Sequence, residues 1–192
     1  MTEITEHFLD EIRRQLRGHK RLAEGAIAQL KDEDLVVTLD PESNSVAILV
    51  KHIAGNMRSR FTDFLTTDGE KADRRRDQEF ELAGNPAREE LMRSWEQGWG
   101  YVFAALDSLQ PGDLMRTVYI RQEPHTVMQA LNRALAHYAL HIGQIVFLAK
   151  HLCSNEWKTL SVPRGKSEEF NRKSVEERRT GQASPPEPTR RP

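Results

Sequence analysis

The chain is poor in the features that usually give a protein's class away. Only one of its 192 residues is cysteine, Cys153. An internal disulfide is therefore excluded, and a reducing compartment, the cytoplasm, is expected. Asp and Glu number 29 against 28 Lys and Arg, a formal net charge of -1. No overall field draws nucleic acid or an anionic membrane surface. The one basic run, RRR at 74–76, is flanked by acids and makes no nucleic-acid footprint. No apolar run approaches the roughly 20 residues that cross a bilayer. The N-terminal stretch MTEITEHFLDEIRRQLRG is charged and amphipathic, without the apolar centre of a signal peptide. Neither nucleic acid nor membrane is expected as a partner, and no internal repeat is visible.

What is present is helical periodicity. Hydrophobic residues make up 38% and charged residues 30% of the chain, a globular composition with enough length for one domain with its own core. Apolar residues recur at three- and four-residue spacing in four long segments. The first runs from about Thr2 to Leu30, with Phe8, Ile12, Leu16, Leu22 and Ala26 on one face. The second runs from about Ser45 to Leu65 and carries Leu49, Ile53, Met57, Phe61 and Phe64; Ser43, Asn44 or Ser45 can supply its N-cap oxygen. The third, about Pro86 to Leu109, has Leu91, Trp95, Trp99, Val102 and Leu106, with Pro86 suited to a first turn. The fourth, about His125 to Leu152, has Leu131, Leu135, Tyr138, Ile142, Ile145 and Leu148. The two tryptophans read as core. Four long helices and almost no strand signal predict an all-α protein, a four-helix bundle with long connections.

The connections are polar. Residues 30–44 read as a loop with a short extended piece at Leu35–Leu39, and residues 67–85 as a long crossing. Leu114–Arg121 alternates well enough for one short strand. After Trp157 the composition shifts toward charge, Pro and Ser. Residues 1–160 are therefore assigned to the bundle. Residues 161–192 are assigned to a C-terminal extension, mostly irregular and disordered from about residue 180.

The chemistry-bearing residues are the seven histidines. Within AHYALHIGQ, His137 and His141 stand four apart on one helical face, about 6 Å apart along the axis. Two imidazoles so placed are half of a divalent transition-metal site, as in the HExxH helix of zinc proteases. Here no glutamate follows the first histidine, so a protease is a poor reading. Packed-helix histidines bonded to water or backbone remain the competing reading. A metal would need a further ligand, and His52 is the best placed, mid-way along the second helix at the edge of its apolar stripe, with Asn56 one turn further on the same face. His7, His19 and His151 read as solvated, and His125 as a loop or capping residue. Of the acids near the exit of the second helix, Asp63, Asp68, Glu70, Asp77 and Glu79, most read as surface charge and one could approach the metal. No general base stands out. Arg58 and Arg60 read as solvated before they read as anion binders. Cys153, well beyond the histidine pair, reads as a small buried hydrophobe rather than a nucleophile.

The segments SNSVAILVKHIAGNMRSRFTDFLTTDGEK, EPHTVMQALNRALAHYALHIGQIVFLAKHL and VPRGKSEEFN resemble the DinB/YfiT-like superfamily of metal-binding four-helix bundles, close to a largely uncharacterised bacterial branch. The resemblance covers roughly residues 1–172. It implies a three-histidine site for zinc or nickel made of His52, His137 and His141, with open positions for water. It also draws Gln144 toward the site, either behind the ligands together with Asn56 or as plain helix-surface polarity. It further implies a small-molecule substrate and a homodimer. Three nitrogens with an open position describe a catalytic centre rather than a structural one. The favoured expectation, taken from thiol-using relatives, is activation of a low-molecular-weight thiol for S-transfer to an electrophile. The alternatives are a hydrolase using metal-bound water and a non-catalytic metal-binding or interaction protein.

Overall fold

The computed structural model describes residues 2–180. It divides into two units, up to Glu156 and from Trp157 onward. The first unit holds four long helices: α1 (Thr2–Ile27), α2 (Val46–Phe61), α3 (Arg88–Ser108) and α4 (Val127–Cys153). A two-stranded antiparallel hairpin, β1 (Thr117–Ile120) and β2 (Glu123–Thr126), leads directly into α4. Short 3-10 turns fill the connections at Glu33–Val36, Asp77–Phe80, Pro111–Met115 and Ser154–Glu156. In broad class the protein is all-α. No helix among the described residues is long and apolar enough to cross a membrane.

Helix α2 packs mainly on α3, and α1 on α4, with smaller contacts between α2 and α4 and between α1 and α3. The predicted stripes supply the core. Leu16, Leu49, Ile53, Met57, Trp95, Trp99, Leu106, Leu131, Tyr138 and Ile142 are all fully enclosed. Burying side chains of this size stabilises by roughly 1.5–3 kcal/mol each relative to exposure, and this drives the helices together. Both ends that position the site are capped. The Ser45 Oγ accepts from the Ile48 N–H at the start of α2. At the start of α4, Thr126 and Gln129 exchange reciprocal bonds. Each cap satisfies donors that the first turn of a helix leaves open.

Several expectations are corrected. Pro86 lies just ahead of α3, which starts at Arg88 with Ala87 as N-cap. The predicted extended piece at Leu35–Leu39 is a 3-10 turn over Glu33–Val36, because burying Leu35 pulls the chain inward there. His125 belongs to β2 rather than to the helix cap, with its Nδ1 3.0 Å from the Glu123 carbonyl. His19, expected in solvent, is half-buried, and burial lowers its pKa. The single predicted strand has a partner. The pairing runs Thr117 to Thr126 and Ile120 to Glu123, leaving Arg121 and Gln122 as the turn. Both turn residues have positive φ, 55° and 66°, without being glycine. The Asp68 carboxylate holds them there, accepting from the Arg121 N–H at 2.9 Å and the Gln122 N–H at 2.7 Å.

In the second unit the predicted irregular tail contains a helix, α5 (Ser167–Arg179). Glu168 and Glu169 in its first turn favour the helix dipole. Glu169 also pairs with Lys173 one turn on, at 2.9 Å, in the favourable order. The expected disorder from about residue 180 concerns residues outside those described.

Candidate metal centre

Helices α2 and α4 bring three rings to one point. His52, which closes the AILVKH run in α2, is buried at 4% exposure. His137 and His141, one turn apart on α4, are half-buried. His137 Nε2 lies 3.3 Å from His52 Nε2 and 3.1 Å from His141 Nε2. One nitrogen from each ring falls within 4.8 Å of the others, so the group could hold a metal ion.

Each outer ring is fixed from behind. The His52 Nδ1–H donates to Glu79 Oε2 at 2.9 Å. Glu79 sits in the 3-10 turn of the long crossing and is itself buried. Arg74 grips the same carboxylate with two parallel bonds of 2.8 Å from Nε and Nη2. Burial alone would raise the Glu79 pKa, but the bonds from His52 and Arg74 outweigh it and hold the acid ionised. The crossing is pinned to α2 a second time, since the Lys51 ammonium donates to the Gln78 and Glu81 carbonyls at 2.6 and 2.7 Å. On α4, His141 Nδ1 faces Gln144 Oε1 at 2.8 Å. Asn56 is also buried, but its Oδ1 accepts from the Tyr138 hydroxyl at 3.1 Å and ties α2 to α4.

The hydrogens test whether an ion suits these residues. With Nδ1 donating to an ionised carboxylate, His52 turns Nε2 toward the centre, and the neutral tautomer with its proton on Nδ1 presents a lone pair there. His141, donating to Gln144, does the same. Burial, then the neighbouring His141 and His52 rings, push the His137 pKa down to about 3, so this ring is neutral. A single proton on His137 Nε2 could serve only one of the two lone pairs facing it. A cation serves all three. Tetrahedral zinc with bonds of about 2.0–2.1 Å would set its nitrogens roughly 3.3 Å apart, and the observed 3.1 and 3.3 Å agree.

The rings border a cavity of about 480 Å³. Its wall includes Phe61, Phe64 and Ile120, and also Arg60, Arg74, Arg76, Arg121 and Arg133. Among the described residues, no Asp, Glu, Ser, Thr, Cys or Lys lines it. Cys153 is twelve residues past His141, about 18 Å along α4, with its thiol directed to the Gln29 carbonyl. Trp95 and Trp99 lie in the core, away from the cavity. Arg58 pairs with Asp73 outside it. Of the five acids weighed at the exit of α2, Glu79 is the one that reaches the centre, through His52. Arg74, read only as part of a basic run, is its partner. One trace of this contact was visible in the sequence. Gly55 stands inside α2, where glycine costs up to about 1 kcal/mol relative to alanine, and a Cβ there would meet Glu79 Oε1 at 2.5 Å.

Fold and site thus define a mostly helical protein whose three-histidine group could hold a metal ion. The chain belongs to the family described as "Protein of unknown function (DUF1572)", whose model matches residues 3–166. No curated protein and no solved structure matches it significantly.

Proposed function

We propose that the protein is a DinB-like four-helix bundle that binds one divalent ion, zinc or nickel, through His52, His137 and His141. Its reaction would be the transfer of a low-molecular-weight thiol to an electrophile. The observation that carries this reading is the convergence of three Nε2 atoms at the edge of a cavity, with Glu79 and Gln144 behind two of them. A bound ion supplies one thing, a lowered pKa for a thiol placed at its open position.

The chain's own residues do the rest. Glu79 and Gln144 fix which ring nitrogen of His52 and His141 faces inward, and Arg74 holds Glu79 in place. The apolar wall excludes water from the electrophile. Among the described residues no Cys, Ser, Thr, Lys, Asp or Glu lines the cavity, which supports a nucleophile supplied from solution. In the net reaction the thiol loses its proton to solvent and its sulfur pair forms the C–S bond. The leaving group departs with the electrons of the bond that breaks, so RSH and R′X give RSR′ and HX. The preference for a thiol over water rests on the resemblance to thiol-using relatives, as does the homodimer.

The test begins with metal content by mass spectrometry on tag-free protein, with His52→Ala and His137→Ala alongside. Near-stoichiometric zinc or nickel, lost in both variants, is expected. Conjugation of bacillithiol or mycothiol to monochlorobimane should then depend on that metal. Ester or amide hydrolysis without any thiol would point instead to a hydrolase. A wild type that takes up no metal even after reloading would sink the proposal.

A further inference from the structure

The five arginines of the cavity are not alike. Arg74 is consumed by Glu79. Arg60 bonds the Gly69 carbonyl and pairs with Glu70, and Arg121 also reaches Glu70, at 3.2 Å. The other two are uncommitted. Arg133 has no ion pair or hydrogen bond among the described residues. It stands four residues before His137, so it lies one turn away on the same face of α4. Arg76 has only a loose 3.7 Å contact with the almost fully exposed Asp77, and its guanidinium rests over the Phe80 ring. Two cations without firm partners therefore border one cavity that, among the described residues, has no carboxylate in its wall and is partly apolar, with Phe61, Phe64 and Ile120. Guanidinium groups match carboxylate and phosphate oxygens in charge and shape.

We propose that the ligand of this cavity is a small organic oxyanion, a carboxylate or a phosphate on an apolar body. Its charged end is received by Arg133 and Arg76, and its body lies against Phe61, Phe64 and Ile120 beside the histidines. This rests on the reading above only in taking the cavity as the place where substrate binds, and it names the class of that substrate. A volume of about 480 Å³ suits a small metabolite rather than a peptide.

The test measures binding of three matched probes to the metal-loaded protein by calorimetry or ligand-observed NMR: 4-phenylbutyrate, neutral 4-phenylbutanol and 3-phenylpropyl phosphate. At least one anion should bind about tenfold tighter than the alcohol, the usual scale of one charge-assisted contact. Whether carboxylate or phosphate binds better identifies the anion. Arg133→Gln and Arg76→Gln should each remove about threefold, and together they should erase the preference while metal content stays unchanged. Equal binding of anions and alcohol by the wild type would overturn the proposal. So would a preference that survives the double substitution, or one that disappears on chelation while both variants keep it, since the ion would then be the receptor. The same samples are assayed for bimane conjugation. A preserved anion preference without thiol transfer would refute the transfer reading alone, and transfer with no anion preference would refute this one alone.

Discussion

Gly55→Ala is the substitution that most directly probes how the centre is held. In an ordinary helix interior it would stabilise by up to about 1 kcal/mol, because glycine has more conformational freedom to lose on folding. Here the new methyl group would meet Glu79 Oε1 at 2.5 Å and Cδ at 2.8 Å. A glutamate end is normally free to swing away, but this one is bonded on one side by His52 and on the other by Arg74. Moving it weakens charge-assisted bonds worth about 1.5–3 kcal/mol each. Loss of one or two of these, offset by the helix gain, leaves a net destabilisation of about 1–3 kcal/mol. For a chain of this size that lowers Tm by about 3–10 °C. With His52 no longer oriented, metal affinity should fall about 10- to 100-fold. Gly18→Ala and Gly100→Ala are the controls. Both lie within helices and have nothing within 4 Å of the new Cβ, so both should match or exceed wild-type stability. The assay is urea unfolding together with chelator competition for zinc. A Gly55→Ala protein as stable as the controls, with zinc affinity intact, would refute the argument that Glu79 is locked against α2.

Further outcomes follow from the same contacts. Glu79→Gln should weaken zinc binding about 10- to 100-fold and destabilise by on the order of 3 kcal/mol, since Arg74, with only 3% of its side chain exposed, loses its main counter-charge; chelator competition and urea melts read both effects. Asp68→Ala removes the acceptor for two turn N–H groups and should cost about 1–2 kcal/mol, with hydrogen exchange accelerated at Arg121 and Gln122 and helix α2 unaffected. Cys153→Ser should leave metal content and thiol conjugation at wild-type levels, because its side chain contacts the Gln29 carbonyl rather than the cavity; a loss of turnover would make this cysteine a participant.

Much of this was legible in the chain, for identifiable reasons. The helices were read from apolar periodicity, a local signal, and Ser45 and Thr126 act at their ends through bonds only three residues long. The pairing of His137 with His141 is fixed by helix geometry alone. That they should meet His52, across 85 residues, was suggested by its place on the α2 stripe and by the family resemblance. The support behind His52 was much harder to see. Glu79 and Arg74 lie in a stretch with no periodicity, among other charges of both signs, and only tertiary contact separates them from surface ion pairs. The second strand was missed because EPHT carries a proline and no alternating pattern. Its turn has none of the glycine or asparagine that positive φ usually calls for, and Asp68, more than 50 residues earlier, does that work instead. The tail helix was missed because charge and proline in its neighbourhood outweighed the short Glu-to-Lys spacing.

The carboxylate behind His52 comes from the crossing between α2 and α3, not from a helix of the core. That segment is held largely by Lys51, Arg74 and a few bonds near Ser59 and Gly69. Such a segment can open while the helices stay folded, as a local unit with its own free energy. The affinity of an ion held by the three histidines would therefore be linked to the closing of this strap, and the linkage would be reciprocal. The factor by which closing the strap would raise affinity for an ion is the factor by which the ion would favour closing. Loading an ion should in turn slow amide exchange along residues 70–81, even though none of them would be a ligand.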